Sequence, residues 1–558
     1  MDANKRYQFW LEQLKDKPML QQKLMMMSKD QIKEAFGQTL AFGTGGVRGK
    51  MGLGSNQINI YTIRQITKAY ALYLVNNKLT KGVAISYDNR TDSQVFAYEA
   101  AKVLAANKVS SFVYSQLRPT PMLSYAVRKL NLSGGIMITA SHNPKTDNGY
   151  KIYNETGAQL MPEQADLVIK EMANVDNPFA IALSEDRKYI HEIPPQIENE
   201  YLQEVEKIKF NESKKQLKMV FSPLHGTGGT VIPKLLEKNG YLIYPYRPQM
   251  IVDPDFSATK SSNPEEKIAY EGALAYAKEI NADIVFLTDP DADRLGIVVK
   301  HQNDFVYLTG NQTAAIELEY ILSNKQQKNE LPKNGYVFTT IVTTELIKKI
   351  ARNYQQNVEE TLTGFKFIGE KIEGLSDGQF LFGCEESYGS LISAFVRDKD
   401  AVQAVYLLAE IANVLHDHDK TLIDYLNEIY AKYGYHLEYT KNISFPGAEA
   451  KEKMQSIINN IRETGLHLDN CSIDYYEDYL KGYLFRNNKK AKLQFPKSDV
   501  LKYYLSEGSW IVFRPSGTEP KLKIYFSVNA NNDIEAKTKL NDLEQQVSKY
   551  INRGEKHV

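Results

Sequence analysis

Apolar residues recur along this chain with two spacings. From 7 to about 36, Leu11, Leu14, Leu20, Leu24 and Ile32 keep a helical period, and Met25-Met26-Met27 within it reads as core filler. Further on, short apolar runs alternate with helical ones. Residues 83–87 read as a strand, 93–107 as a helix and 111–114 as a strand, a βαβ unit that implies a mostly parallel sheet. Residues 135–138 and 150–153 read as two further buried strands, and a charged helix over 197–209 follows a polar stretch at 174–187. Strand, loop and helix return over 219–239 and again over 336–352, which suggests a repeated α/β module without sequence identity between its copies. Apolar runs at 284–287 and 295–299, a long helix at 401–415, strands at 509–513 and 522–526 and a helix at 534–551 complete the pattern.

A chain of 558 residues is too long for one core, so three or four domains are expected. Lys+Arg and Asp+Glu both number 68, which gives no support to a nucleic-acid or membrane-surface partner. Cys384 and Cys471 cannot build a disulfide framework or a structural zinc site, and a reducing compartment follows. No apolar h-region follows the charged N-terminus, and no run approaches the ~20 apolar residues that span a bilayer. A cytoplasmic location is expected.

Chemistry concentrates in loops. Thr139-Ala140-Ser141-His142-Asn143-Pro144, between the strands at 135–138 and 150–153, presents a hydroxyl, an imidazole and a carboxamide at the end of a sheet. Its serine is a nucleophile only if something activates it. Gly43-Thr44-Gly45-Gly46-Val47-Arg48-Gly49-Lys50 offers bare backbone amides to an anion, yet it is neither a Walker loop, with Thr44 and Met51 misplaced, nor a dinucleotide fingerprint, with Arg48 at the third glycine.

Asp289, Asp291 and Asp293 lie within five residues between two apolar strands. Their mutual repulsion makes sense around a cation, and oxygen ligands favour Mg²⁺, Mn²⁺ or Ca²⁺. An EF-hand is excluded by Arg294 and Lys300. Thr363 to Gly369 reads as a glycine-punctuated turn. Glu385 and Ser387 alternate, so on an extended segment both point to one side, and a carboxylate plus a hydroxyl on one face is what a pair of adjacent sugar hydroxyls needs. Arg514, Ser516, Gly517 and Thr518 on one tight turn would suit a phosphate that does not react.

The serine loop, with Asp147-Asn148-Gly149-Tyr150-Lys151 after it, resembles the phosphoserine loop of the α-D-phosphohexomutases, the family of phosphoglucomutases and phosphomannomutases. Gly-Thr-Gly-Gly-x-Arg-Gly resembles its N-terminal motif, Asp-x-Asp-x-Asp-Arg its metal motif, and 363–369 its sugar-facing turn. Glu385-x-Ser387 resembles its sugar-binding loop, with Cys384 where that loop has Gly, and Arg514–Thr518 its phosphate-binding loop. Arg397-x-Lys399-Asp400 resembles a motif of the phosphoglucomutase branch.

The resemblance covers almost the whole chain. It implies an α/β fold of four domains round a central cleft, three related mixed α/β modules plus a smaller C-terminal α+β domain with an antiparallel sheet. The domains are placed at 1–210, 211–325, 326–433 and 434–558. Ser141, His142, Arg48, Lys151 and Lys399 would be catalytic. Asp289, Asp291, Asp293 and the phosphoryl oxygen of Ser141 would hold one Mg²⁺. Arg294, Thr363, Gly364, Glu385, Ser387, Arg514, Ser516, Gly517 and Thr518 would bind substrate.

The implied reaction interconverts glucose 1-phosphate and glucose 6-phosphate through phosphoserine, with glucose 1,6-bisphosphate as intermediate and activator. A phosphopentomutase, a phosphomannomutase or a sugar-bisphosphate synthase is the nearest rival. A sugar-phosphate sensor without activity and a phosphatase are rivals of another class. The expected partners are small sugar phosphates, not nucleic acid or membrane, and the expected state is a monomer or weak homodimer.

Overall fold

The computed structural model describes residues 2–43, 45–445, 449–469, 471–487, 489–516 and 521–555. It divides into two compact units, one of residues 1–310, 365–382 and 387–421, the other of 311–364, 383–386 and 422–558.

In the first unit, the single helical period at the N-terminus becomes three helices, Ala3–Gln13, Pro18–Met25 and Lys29–Phe36. Pro18 starts the second, and Ser28 caps the third with a reciprocal box to Gln31. Trp10, Leu14, Leu24 and Phe36 close on Tyr61. Met25 and Met26 are 60% and 77% exposed, so they are not core filler; the helical stripe ends at Leu24 and turns them to solvent.

Strands β1 (Gly46–Lys50), β2 (Val83–Tyr87), β3 (Ser111–Val113), β4 (Gly134–Ile138), β5 (Asp147–Asn154) and β6 (Ile190–Glu192) form one sheet in the order β1-β5-β4-β2-β3-β6. The β4/β2, β2/β3 and β3/β6 ladders are parallel, and β5 returns antiparallel to both β4 and β1. β2 and β4 are buried throughout, which is why they read as unbroken apolar runs.

A second sheet holds β7 (Lys218–Ser222), β8 (Leu242–Pro245), β9 (Ile284–Thr288), β10 (Leu295–His301) and β11 (Asp304–Leu308), ordered β11-β10-β9-β7-β8. β7/β8 and β7/β9 are parallel, β9/β10 and β10/β11 antiparallel. The two sheets share one plan. Two strand–helix steps lead to a central strand, a loop follows, and the next strand returns antiparallel. The serine loop joins β4 to β5, and the Asp loop joins β9 to β10, at the same place in each plan.

The chain order repeats a third time, with β12 (Gly335–Thr340), a helix at Glu345–Asn353, β13 (Asn357–Thr361), a helix at Phe365–Glu373, β14 (Gln379–Cys384), a loop, and β15 (Ser390–Leu391). β12 and β13 pair in parallel. The turn expected over 363–369 is therefore helical from Phe365 onward.

In the second unit β16 (Tyr435–Ser444), β17 (Ile473–Asp478), β18 (Tyr483–Arg486), β19 (Lys489–Lys492), β20 (Leu501–Leu505), β21 (Trp510–Pro515) and β22 (Lys521–Ala530) make an antiparallel sheet ordered β16-β22-β21-β20-β17-β18-β19. Met454, Ile458 and Ile461 of the helix Ala450–Thr464, and Leu543 and Val547 of the helix Asp533–Glu555, pack on it. Among the described residues no helix is long and apolar enough to cross a membrane.

Candidate active site

Ser141 stands three residues past β4, buried, with a left-handed backbone at φ 53°. Its amide donates to Thr139 Oγ1 at 2.8 Å. Its hydroxyl donates to Asp289 Oδ2 at 2.7 Å and lies 3.2 Å from His142 Nδ1. Serine and Asp loops, 148 residues apart, thus meet at one hydrogen bond.

The Asp loop is a turn closed by its own first residue. Asp289 Oδ1 accepts from the amides of Asp293, at 3.1 Å, and Arg294, at 3.0 Å. Gly226 brings the chain against the back of this turn. A Cβ there would lie 2.3 Å from Pro290 Cα, and the next residue, Thr227, donates its amide to Pro290 O at 2.8 Å. All three carboxylates are buried, and one oxygen of each lies within 4.8 Å of the others.

Burial and the two neighbouring carboxylates push Asp289 well above the usual carboxylate range. Burial also opposes the charge on Asp291, but the Lys151 ammonium overcomes it and holds that carboxyl low. Lys151 Nζ is 2.6 Å from Asp291 Oδ2 and 3.4 Å from Asp293 Oδ2. Lys399 Nζ is 3.3 Å from Asp293 Oδ2 and 3.1 Å from Asp398 Oδ1.

Asp291 Oδ1 and Asp293 Oδ1 are buried without a hydrogen bond. Buried carboxylate oxygens normally have partners. Two without a hydrogen bond, one of them 3.8 Å from Arg294 Nε, in an all-oxygen cluster beside a serine hydroxyl, fit a hard divalent cation.

The structure brings Ser141, His142, Asp289, Asp291, Asp293, Lys151 and Lys399 together within the first unit. Arg48 lies exposed on β1 opposite Gly149, and its charge helps lower Asp291. Arg294 Nη1 pairs with Glu265 Oε1 at 2.5 Å.

Several contributors escaped the sequence reading. Thr120, at the start of the helix Thr120–Lys129, donates its hydroxyl to Asp291 Oδ2 at 3.0 Å and its amide to Asp291 O at 2.9 Å. Ser262 Oγ donates to His142 O at 3.1 Å. Asp88 and Arg90 hold the serine loop from below; their Asp-x-Arg spacing directly after a buried strand is the signal that could have marked them.

In the second unit Gly364 N donates to Glu385 Oε1 at 2.9 Å, so turn and acid are paired. Thr363 beside them is half-buried. Glu385 and Ser387 do not alternate on an extended segment. β14 ends at Cys384, residues 386–388 bend, and Tyr388 is left-handed at φ 65°. Cys384 is buried, its Sγ 3.8 Å from Thr339 Oγ1, and burial pushes its thiol up; it is a packed residue. Arg514 Nη1 donates to Tyr525 OH at 3.4 Å, and Ser516 N to Lys521 O at 2.8 Å. Gly517 and Thr518, like Thr44 of the N-terminal motif, lie outside the described residues.

Four family models match the chain. They are the α/β/α domains I, II and III of phosphoglucomutase/phosphomannomutase, at residues 39–179, 199–302 and 309–433, and the C-terminal domain at 477–539. A phosphoglucomutase of Staphylococcus aureus (strain MSSA476) is 36% identical over 543 residues, covering 96% of this chain and 97% of that relative. Among solved structures, the Paramecium exocytosis-sensitive phosphoprotein parafusin, described as a phosphoglucomutase, superposes with TM-score 0.68 at 20% identity over 92% of this chain and 96% of its own. A putative phosphomannomutase from Thermus thermophilus gives TM-score 0.67 at 20% identity, over 92% of this chain and 99% of its own.

Proposed function

The chain belongs to the phosphoglucomutase/phosphomannomutase family of intramolecular phosphotransferases, and we propose that its reaction is the interconversion of glucose 1-phosphate and glucose 6-phosphate. The observation that carries this reading is the contact of Ser141 Oγ with Asp289 Oδ2 at 2.7 Å, at the edge of a carboxylate cluster with two buried oxygens that have no hydrogen bond. The full-length likeness to a phosphoglucomutase favours glucose among the sugars.

In this reading Ser141 carries a phosphoryl group. The bond from phosphorus to the seryl oxygen breaks as a bond to a sugar hydroxyl forms. The sugar hydroxyl gives up its proton and the departing seryl oxygen takes one, and His142, Lys151 and Lys399 are the candidates for these proton transfers. The resulting glucose 1,6-bisphosphate reverses its orientation, and its other phosphate returns to Ser141. Such transfer depends on positioning and charge neutralisation more than on covalent chemistry.

Asp289, Asp291 and Asp293, with an oxygen on Ser141, would hold one Mg²⁺, which when bound offsets the charge of the transferring group. Arg48 and Arg294 supply further positive charge. Thr363, Gly364, Glu385 and Ser387 take the sugar hydroxyls, and Arg514, Ser516, Gly517 and Thr518 the phosphate that does not react. Each of the four segments 1–210, 211–325, 326–433 and 434–558 contributes one of these loops.

Turnover of glucose 1-phosphate, mannose 1-phosphate and ribose 1-phosphate, measured in parallel, tests the proposal. Glucose 1-phosphate should be converted fastest. Equal or faster conversion of the pentose would make the enzyme a phosphopentomutase. Binding without isomerisation, after priming with glucose 1,6-bisphosphate, would leave a sugar-phosphate sensor.

A further inference from the structure

Ser141 is not a glycine, yet its backbone is left-handed, at φ 53°. That region is costly for a side chain bearing Cβ and persists only where surrounding groups enforce it. The peptide groups on both sides of Ser141 lead back to one buried ion pair. Arg90 Nε lies 3.2 Å from Asp88 Oδ2, and both side chains are fully buried.

On the amide side, Thr139 Oγ1 accepts from Ser141 N at 2.8 Å and donates its own proton to Asp88 Oδ2 at 2.7 Å. The carboxylate thereby orients the threonine hydroxyl as an acceptor. On the carbonyl side, Arg90 Nη2 donates to Ser141 O at 2.5 Å and Asn143 O at 2.6 Å, and Nη1 to Pro144 O at 2.8 Å and Asp147 O at 2.9 Å. A planar fork with donors in several directions can serve four carbonyls at once; a lysine ammonium cannot. Phe256 lies against the guanidinium, 5.3 Å from ring centroid to Cζ.

We infer that the Asp88–Arg90 pair, acting through Thr139, is the positioning device of Ser141, holding its left-handed backbone so that Oγ points at the Asp loop. The inference rests on the proposed role of Ser141 as phosphoryl carrier. Without the clamp the residue relaxes toward ordinary φ, Oγ swings from Asp289, and transfer slows while sugar binding, made by other loops, persists.

Thr139→Val keeps the shape and removes the hydroxyl, Thr139→Ser restores it, and Arg90→Lys keeps the charge and loses the fork. Single-turnover phosphoryl uptake from glucose 1,6-bisphosphate should slow on the order of 10²-fold in Thr139→Val and Arg90→Lys. KM for glucose 1-phosphate should stay unchanged, and Thr139→Ser should recover most of the rate. Uptake at the parent rate in Thr139→Val overturns the inference. So does a loss that tracks only the unfolded fraction. Should Arg90→Lys fail to fold, the two threonine variants decide.

If the parent protein takes up no phosphoryl group, the functional reading fails by itself. The inference is then judged on crystals of Thr139→Val: Ser141 leaving the left-handed region supports it, and Ser141 staying there overturns it.

Discussion

Lys151 Nζ lies 2.6 Å from Asp291 Oδ2, across 140 residues of sequence, so this carboxylate already faces one cation. Lys151, Lys399 and Arg294, whose Nε is 3.8 Å from Asp293 Oδ1, already face the three buried acids. A divalent ion entering here must share Asp291 with the ammonium. Lys151→Met should therefore bind Mg²⁺ at least as tightly as the parent. Turnover should still fall by roughly 10²–10⁴-fold if the lysine moves a proton. Calorimetry and steady-state kinetics on one preparation separate the two effects. Weaker metal binding in the variant would show that Lys151 supports the site rather than competes in it.

Removal of the metal gives a second expectation. A chelator should abolish isomerisation, and restored Mg²⁺ should raise thermal stability, by about 2.7 kcal/mol at 100 times the dissociation constant. Asp291→Asn leaves Thr120 and Lys151 near a neutral amide and removes one charged ligand. Thermal shift with and without Mg²⁺ should show most of the gain lost in this variant. An unchanged gain would place the ion elsewhere.

Gly226 supports the Asp loop from behind. A Cβ at 2.3 Å from Pro290 Cα and 2.4 Å from Pro290 O meets backbone on every near side, so no flexible side chain can yield. Gly226→Ala should cost about 1–3 kcal/mol as overpacking. It should also weaken Mg²⁺ binding, because Pro290 sits between two of the ligands. Urea unfolding and metal titration test the pair of effects, and a variant with normal stability would mean that the two loops are free to separate.

How much of this was legible follows from what each signal encodes. β2, β4 and β9 could be read because strands buried on both faces are continuous apolar runs. The Asp trio could be read because acids rarely crowd between two such runs. The contacts that Arg90 makes could not, since four backbone carbonyls carry no residue signature. Nor could the meeting of Thr120 with Asp291, which depends on how two modules pack.

The alternation of Glu385 and Ser387 misled because periodicity speaks about faces only within a strand, and the chain turns at Tyr388. Met25 and Met26 misled because apolar character does not by itself bring burial.

His436 gives an expectation about acid stability. It sits on β16, 2% exposed, with neither ring nitrogen hydrogen-bonded. Burial, assisted by the Lys349 ammonium, pulls its pKa down from 6.5 to about 3. Below 6.5 the unfolded chain takes a proton that the folded one refuses, so stability falls as pH drops through that window. Between about pH 6.5 and about pH 5 the loss should approach about 2 kcal/mol.

Glu438, two residues along the same strand, has the opposite sign. Burial pushes it up to about 7, so its folded form gains protons first and it favours the folded state as pH falls. The net slope of the parent therefore does not isolate the histidine. The difference between parent and His436→Phe does: the variant should lose less stability on acidification, by about 2 kcal/mol over the same window. Urea titrations of both proteins at the two pH values measure this. Parallel acid slopes would show that the folded protein admits the proton and that the ring is less enclosed than its surroundings imply.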